Sequence, residues 1–305
     1  MKDKILVTGS IAYDYLYAFD GVFQNSIDTS ATHLSVAFDI NDKKIMHGGC
    51  GANIVYGGVK LNDNFVLVGV AGKDYREYEE RLDKFAISSK FVVKRDDKYT
   101  SQAAIVTDSK NQQITFFYMG AAQDSEKDCE TFGTYMDELA TSASIGIVAP
   151  NGKGFMRTAM EKFKEHSIPY LFDPGQATPI FSGDELIEYS KSALGTIMNE
   201  YEAGLVMKQA QIDKKTLENL STFVVITLGE RGAELFFKGK KYEINDPKTA
   251  KVVDPTGCGD AFRAGMLATL NGKTDNLTAD LLIEACQKGT ELAARCLEVV
   301  GTQSY

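Results

Sequence analysis

The sequence has no surplus of basic residues and no long apolar run. Its formal net charge is -9 with His taken as neutral, which argues against a nucleic-acid-binding face, because phosphate contacts need Lys and Arg concentrated on one surface. No stretch approaches the ~18 apolar residues of a membrane helix, and residues 1–10 have the pattern of a strand rather than of a signal peptide. We therefore predict a cytoplasmic protein with no membrane and no nucleic-acid partner.

Paired cysteines and the common nucleotide-binding loops are also missing. The five cysteines are an odd number and contain no Cys-x-x-Cys pair, so neither a zinc site nor a disulfide framework is expected in a chain of 305 residues. Neither Gly-x-Gly-x-x-Gly nor Gly-x-x-x-x-Gly-Lys-Ser/Thr occurs. A nucleotide, if one binds, must be held by another kind of loop.

Strand and helix patterns alternate along most of the chain, which favours a mainly parallel sheet covered by helices. The predicted strands are 5–8, 65–70, 145–148, 170–172, 196–198 and 223–227, with a hairpin at 233–237 and 241–244 that turns at Gly239. The predicted helices are 52–60, 75–85, 157–166, 200–207, 260–270 and 279–299. No linker or repeat divides the chain, so a single domain, 1–305, is expected.

Two regions, 15–45 and 91–119, break this alternation. They contain candidate strands at 34–38, 103–107 and 114–118, the last two around a turn at 108–111. We expect a small inserted sheet, which either covers a cleft as a lid or only adds edge strands. The pattern alone leaves both alternatives open.

The clearest chemical signal is the run Asp254-Pro255-Thr256-Gly257-Cys258-Gly259-Asp260, which leads directly into an apolar helical pattern. Two glycines at a helix start let backbone N–H groups converge on an anion. An acidic residue there can remove a proton from an attacking hydroxyl while the amides hold the transferring phosphoryl group. The alternative is that Asp260 only caps the helix. The whole run predicts Asp260 as general base, with Gly257, Cys258 and Gly259 forming an anion hole.

This run resembles the carboxy-terminal signature of the ribokinase-like (pfkB-type) carbohydrate kinases. The run His47-Gly48-Gly49-Cys50-Gly51-Ala52-Asn53 resembles their amino-terminal signature. Segments 9–14, 111–115, 173–176, 181–183 and 301–303 are similar to the bacterial adenosine and nucleoside kinases within the family. The resemblance implies an α/β three-layer sandwich with a mainly parallel central sheet and a small inserted β-sheet lid.

The resemblance also implies a substrate site. Asp14 corresponds to the family's aspartate that grips two adjacent sugar hydroxyls, and a carboxylate can accept both of those hydrogen bonds. Gly48 and Gly49 would bring backbone close to the ligand, and Asn53 would bind a substrate hydroxyl or only pack locally. Ser10 occupies a position at which nucleoside-preferring members often have Asn. Phe117, or its neighbour Phe116, is expected to stack on a base.

The expected nucleotide and metal residues follow in the same way. Asn199 and Glu202 match the family's Asn-x-x-Glu element, which implies that Glu202 helps to order Mg²⁺ through water; the alternative is a helix cap at Asn199. Thr227, Gly229 and Gly232 match its nucleotide-site segment. Arg263, one turn past Asp260, either neutralises phosphate charge or pairs with a carboxylate.

Together these signals imply ATP-dependent phosphorylation of the primary (5′) hydroxyl of a ribonucleoside, with adenosine as the first choice. ATP and Mg²⁺ are the implied cofactors, with a monovalent cation such as K⁺ left open. Two alternatives remain: a family kinase of ribose or a related free sugar, and a non-catalytic nucleoside-binding protein that has kept the fold. The sequence does not decide between a monomer and a homodimer.

Overall fold

The computed structural model describes residues 3–27, 36–61, 63–110, 112–245 and 252–305. Its strands are β1 Lys4–Thr8, β2 Ala12–Ala18, β3 Asp42–Gly48, β4 Phe65–Gly72, β5 Val92–Arg95, β6 Ser101–Thr107, β7 Gln113–Tyr118, β8 Ala143–Val148, β9 Tyr170–Phe172, β10 Gly195–Asn199, β11 Phe223–Thr227, β12 Ala233–Phe237 and β13 Lys240–Ile244. Its helices are α1 Phe23–Ser26, α2 Cys50–Val59, α3 Arg76–Lys84, α4 Glu126–Leu139, α5 Lys153–Glu165, α6 Gly183–Ser192, α7 Glu200–Ala210, α8 Lys214–Leu217, α9 Cys258–Leu270 and α10 Ala279–Leu297.

Nine strands form one sheet in the order β13-β12-β11-β10-β9-β8-β1-β4-β5. All pairs from β5 to β11 are parallel, whereas β12 pairs antiparallel with both β11 and β13. Strand β1 is an interior strand, third from the β5 edge, and Ile5, Leu6 and Val7 have no exposed surface. Such a fully apolar strand is typical of a parallel sheet that is covered on both faces.

Helices pack on both faces of this sheet. Ile5 and Val7 belong to a core cluster that includes residues of α2, α3, α9 and α10, and Leu6 belongs to a second cluster with residues of α4, α5, α6 and α7. Successive residues of β1 therefore contribute to opposite cores, as the two-residue period of a strand requires. The predicted three-layer sandwich with a mainly parallel sheet is confirmed.

A second, smaller sheet has the strand order β3-β2-β6-β7. Strand β2 pairs in parallel with β6, while β3 and β7 are antiparallel edge strands. Because cross-strand partners share a face of the sheet, Asp14 lies on the same face as Met46, Ala103 and Phe117. Phe116 lies on the opposite face.

The second sheet uses only part of the two regions, 15–45 and 91–119, that were predicted to form it. Within region 91–119, Val92–Arg95 pairs with the end of β4 and so belongs to the large sheet. Of the predicted strand 34–38, residues 36–38 are not in a strand, and 34 and 35 lie outside the described residues, as do the rest of 28–35 and Asn111 of the predicted turn. The strands used instead are β2 and β3. Strand β3 carries three charged residues in its first three positions, a composition suited to an exposed sheet edge but not typical of a strand in sequence.

Helices α4 and α6 were not predicted. Each begins at a serine whose hydroxyl oxygen accepts a backbone hydrogen bond: Ser125 from Asp128 N, and Ser182 from Glu185 N within a complete capping box. The hairpin between β12 and β13 turns at Lys238 and Gly239, both with positive φ, as predicted for Gly239. Among the helices of the described residues, none has the length and apolar character needed to cross a membrane.

Candidate active site

The predicted substrate and base residues meet where β1 ends and where helices α2 and α9 begin. The backbones of Gly9 and Gly51 touch here, since a Cβ on Gly51 would lie 2.8 Å from the carbonyl carbon of Gly9. Gly49 has a φ of +92°, a conformation that side chains rarely adopt. Glycine is therefore required for the turn that leads into α2 along the carboxyl edge of the sheet, where open α/β proteins bind ligands.

Ser10 accepts hydrogen bonds from the first turn of helix α2, whose N-cap residue is Gly49. Its hydroxyl oxygen accepts a hydrogen bond from Cys50 N at 3.0 Å, and its carbonyl oxygen accepts one from Gly51 N at 3.0 Å. These bonds satisfy N–H groups that have no partner inside the helix. Ser10 is itself buried, so the structure gives it a clear local role, and a substrate contact at this position stays a prediction.

Asp14 and Gly48 are in direct contact. Any side chain at position 48 would collide with Oδ2 of Asp14. Burial raises the pKa of Asp14 to about 6, and within the described part of the chain no hydrogen-bond donor reaches its carboxylate. A partly buried carboxylate with open acceptor sites is suited to bind ligand hydroxyls.

Asp260 lies in the first turn of α9 and is bonded to Asn53 of α2. Asn53 Nδ2 donates to Asp260 Oδ2 at 2.8 Å. Burial raises the pKa of Asp260 to about 6; the hydrogen bond from Asn53 and the charge of Arg263 act against this shift, and the nearby Asp173 adds to it. Asp260 can therefore be ionised near neutral pH while remaining a better proton acceptor than an exposed aspartate.

The first turn of α9 is built around two glycines. Gly257 has a φ of +82°, and a Cβ there would lie 2.8 Å from Thr302 Cβ. Asp254 secures the preceding loop, because Oδ1 accepts from Thr256 N at 2.9 Å and Oδ2 accepts from Gly301 N at 3.0 Å. The helix thus starts with little side-chain volume around its amino-terminal N–H groups, a geometry suited to an anion.

Arg263 forms a buried ion pair with Asp173. Its Nε is 2.5 Å from Asp173 Oδ2 and its Nη2 is 2.8 Å from Asp173 Oδ1, a bidentate arrangement. A third hydrogen bond joins Nη1 to Gly259 O at 3.1 Å. The structure shows the carboxylate pairing, and a role of Arg263 toward phosphate stays a prediction. Asp173, which follows β9, lies in a segment that the resemblance includes, but its pairing with Arg263 was not predicted because the two residues are 90 positions apart.

The predicted nucleotide residues follow two neighbouring strands. Asn199 at the end of β10 is paired in register with Thr227 at the end of β11. Asn199 caps α7 in a capping box, with Glu202 N donating to Asn199 Oδ1 and Asn199 N donating to Glu202 Oε2, both at 2.8 Å. Beyond β11, Gly229 and Gly232 have positive φ. The helix-cap alternative at Asn199 is thus present, and it leaves Oε1 of Glu202 outside the capping box.

Phe117 is half exposed and lies on the same face of the small sheet as Asp14. Phe116 is more exposed but lies on the opposite face, so Phe117 is the better placed of the two predicted stacking residues. Another buried side chain that the sequence analysis did not single out is Asn151, just after β8. Its buried Nδ2 has no hydrogen-bond partner in the described residues, and only its position at the carboxyl end of a strand could have signalled it.

The described residues contain one compact group of potential metal ligands, formed by Asp137, Glu165 and His166. Lys162 lies 2.9 Å from Asp137 and 3.0 Å from Glu165, and His166 Nε2 is 2.6 Å from Asp137. These side chains pair with one another in a charged cluster on the surface, between α4 and α5. They lie on helices that contribute none of the predicted site residues.

Comparison with known proteins gives one consistent group. Residues 21–305 match the pfkB family carbohydrate kinases. The nucleoside kinase of Methanocaldococcus jannaschii is 30% identical over 271 residues, which cover 87% of this chain and 83% of that relative. A crystal structure of nucleoside kinase from this archaeon, described as an archaeal member of the ribokinase family, has a TM-score of 0.82 at 26% identity and covers 100% of this chain and 94% of its own.

Bacterial structures are equally similar. Burkholderia thailandensis nucleoside kinase in complex with inosine has a TM-score of 0.82 and 29% identity, covering 99% of this chain and 93% of its own. The same kinase in complex with ADP-inosine has a TM-score of 0.79 and 30% identity, covering 99% and 91%. The likeness extends over both sheets and nearly the whole chain.

Proposed function

Because this chain belongs to the pfkB family of carbohydrate kinases, we propose that it transfers the terminal phosphoryl group of ATP to the 5′-hydroxyl of a ribonucleoside, with Asp260 as the general base. The chain is a phosphotransferase that acts on a hydroxyl group, and several proteins similar to it are nucleoside kinases. The observation that carries the proposal is the 2.8 Å bond between Asn53 and Asp260. It joins α2, the helix that follows the glycine turn at 48–49, to the first turn of α9.

In the proposed reaction, Asp14 positions the substrate and Asp260 accepts the proton. The carboxylate of Asp14 accepts hydrogen bonds from the two ribose hydroxyls, which directs the 5′-hydroxyl toward Asp260. Asp260 takes the hydroxyl proton as the oxygen forms a bond to the terminal phosphorus of ATP, and the bond from that phosphorus to the leaving ADP oxygen breaks. The N–H groups of Gly257, Cys258 and Gly259 stabilise the charge on the transferring group.

Glu202 fits the implied role toward Mg²⁺. Its Oε2 is engaged by Asn199 N, while the remaining oxygen is a hard donor that can hold a largely hydrated cation. Burial raises the pKa of Glu202, and the nearby Asp173 adds to the rise. A divalent cation bound there would neutralise part of the charge of the ATP phosphates. Asn199, Thr227, Gly229 and Gly232 form the adjacent nucleotide edge.

Two observations favour a purine nucleoside over a free sugar. Phe117 offers an aromatic surface on the face that carries Asp14, which a free sugar would not need. The similar Burkholderia kinase binds inosine in its solved complex. We therefore rank adenosine and inosine as the first substrates to test, with adenosine first, and keep ribose as the second candidate.

The test is a substrate panel combined with one variant. Adenosine, inosine, cytidine, ribose and fructose 6-phosphate are incubated with MgATP, and ADP release is measured with the product identified by phosphorus NMR. We expect a 5′-monophosphate from a nucleoside, and a loss of turnover by several orders of magnitude in Asp260→Asn with nucleoside binding retained. Asp280→Asn, in the first turn of α10, is the matched control.

Three results would contradict the proposal. Near-normal turnover of Asp260→Asn removes the base assignment. Faster turnover of ribose than of every nucleoside supports the sugar-kinase alternative. Tight nucleoside binding without ADP release supports the non-catalytic alternative.

A further inference from the structure

A buried chain of hydrogen bonds connects the glycine turn to Asp260. Tyr78 Oη donates to Gly48 O at 2.8 Å, and Gln303 Nε2 lies 2.6 Å from Tyr78 Oη. The same Nε2 donates to Asn53 Oδ1 at 3.0 Å, and Asn53 Nδ2 donates to Asp260 Oδ2 at 2.8 Å. This series of hydrogen bonds thus joins residues that are up to 250 positions apart.

Water has little access to these hydrogen bonds. Tyr78 is 0% exposed, Gln303 is 2% exposed and Asn53 is 4% exposed. Hydrogen bonds in such a dry environment are strong, and a group that faces the wrong partner is costly. The orientation of each amide in the chain is therefore well determined.

The direction of the bonds is set at Gly48. A backbone carbonyl can only accept, so Tyr78 must donate to it and must accept from Gln303. Gln303 consequently presents its NH₂ group to Tyr78 and to Asn53 Oδ1. Asn53 in turn presents its NH₂ group to Asp260. The reversed Asn53 amide would place its oxygen against a carboxylate oxygen.

Two further contacts support this direction. Arg81, which has only donors, bonds from Nη2 to Gln303 O at 2.7 Å, and its Nε is 3.5 Å from Gln303 Oε1. Thr302 Oγ1 is 2.8 Å from Asn53 Oδ1 and 3.0 Å from His47 O, and its single proton is shared between these two acceptors. The oxygen of Asn53 therefore receives two donors from the carboxy-terminal segment.

We propose that Gln303 and Thr302 are positioning residues, which hold the Asn53 amide so that its NH₂ group binds and orients the Asp260 carboxylate. One carboxylate oxygen is then engaged by Asn53 while the other is turned to the substrate hydroxyl. Asn53 acts mainly through Asp260, because its own oxygen is fully occupied. This inference rests on the proposed role of Asp260 as the base.

The charges around Asp260 determine the direction of the expected effect. Burial raises its pKa most, the charge of Arg263 and a hydrogen bond from Cys50 lower it, and the charge of Asp173 raises it. Cys296 and Tyr305 also lie within electrostatic range. The bond from Asn53 stabilises the ionised carboxylate, so losing it raises the pKa of Asp260. A base must be ionised to act, and the acid limb of the kcat/KM profile must then move to higher pH.

The experiment measures kcat/KM for the nucleoside from pH 5 to pH 9 at saturating MgATP. Gln303→Met keeps the side-chain length but removes both donors, and Gln303→Glu replaces the donors with acceptors. We expect both to move the acid limb upward by about one pH unit, the change expected for one lost charge-assisted hydrogen bond, with Gln303→Glu shifted at least as far. Thr302→Val should shift it less. Ser304→Ala, an exposed neighbour, should not shift it.

Phosphate groups titrate near the same range, at ~6, so only differences between variants are interpreted. Thermal melting and nucleoside binding show whether each variant is folded, and Tyr78→Phe, which keeps the aromatic packing, provides a smaller shift if Gln303→Met does not fold. An acid limb that stays at its original pH in the folded variants overturns the inference, even if kcat falls. That outcome is distinct from a failure of the proposed function, in which Asp260→Asn itself retains turnover.

Discussion

The buried pair between Asp173 and Arg263 makes a quantitative prediction about stability. Both side chains are almost completely buried, at 3% and 6% exposure, and they are joined by two short hydrogen bonds. Asp173→Asn keeps the size of the side chain but removes its charge. Arg263 cannot lose its proton, so the variant leaves a buried cation without its hydrogen-bonded carboxylate, and of the described residues only the charges of Glu202 and Asp260 remain near it.

Breaking such a pair costs about 3–5 kcal/mol, a large part of the ~5–15 kcal/mol by which folded proteins are stable. For a chain of this size we expect the melting temperature to fall by roughly 5–15 °C. Replacing both partners, as in Asp173→Leu with Arg263→Met, should recover most of the loss, because well-packed apolar groups can substitute for a buried pair.

The assay is urea and thermal unfolding followed by circular dichroism. The matched control is Glu200→Gln, which breaks the exposed pair between Glu200 and Arg231 at 2.7 Å and should cost less than about 1 kcal/mol. The reasoning would be refuted if Asp173→Asn and Glu200→Gln lost the same stability, or if the double variant were no more stable than Asp173→Asn.

Two other perturbations test the site more locally. Gly48→Ala places a methyl group against the Asp14 carboxylate and should raise the nucleoside KM at least about tenfold with the ATP KM nearly unchanged; equal changes in both would show that the effect is not local. Burial raises the pKa of Asp260 from 3.8 to about 6, which means that the folded state disfavours the ionised carboxylate. Asp260→Asn removes this ionisation and should therefore be more stable than the parent protein at pH 8, by up to about 3 kcal/mol. The parent protein loses this stability as pH rises from about 4 to about 6, so melting curves should converge at lower pH, and a constant difference between pH 4 and pH 8 would contradict the prediction.

The large sheet could be predicted because its strands are buried on both sides. Segments such as Phe223–Thr227 are short continuous apolar runs, and helical periodicity separates them. The small sheet was harder to predict because its strands are partly exposed and polar. Strand β2 is rich in tyrosine but is interrupted by Asp14, and β3 begins with Asp42, Lys43 and Lys44, so neither is the continuous apolar run that marks a buried strand in sequence.

The candidate site likewise has one part that could be predicted from the sequence and one part that could not. Glycines with positive φ, such as Gly49 and Gly257, lie in short runs that can be recognised because the backbone geometry and the residue type are tied together locally. Partners across the fold cannot be recognised in this way. Spacing along the chain left Arg263 between phosphate and carboxylate, and it gave no role to Gln303, because the contacting side chains are 90 and 250 residues apart.

These distant partners decide the chemistry of Asp260, which no local pattern can do. Burial alone would favour its protonated form and leave little base at neutral pH. Asn53 and Arg263 both favour the ionised form, and Asp173 limits the effect of Arg263 by pairing with it. Since Asn53 is oriented from the carboxy-terminal segment and Arg263 from the end of β9, the reactivity of one carboxylate depends on the strand order that brings β1, β9 and the chain terminus together. Asp173→Asn removes a negative charge and should move the acid limb of Asp260 to lower pH, opposite to the Gln303 variants, which separates the electrostatic contribution from the positioning contribution.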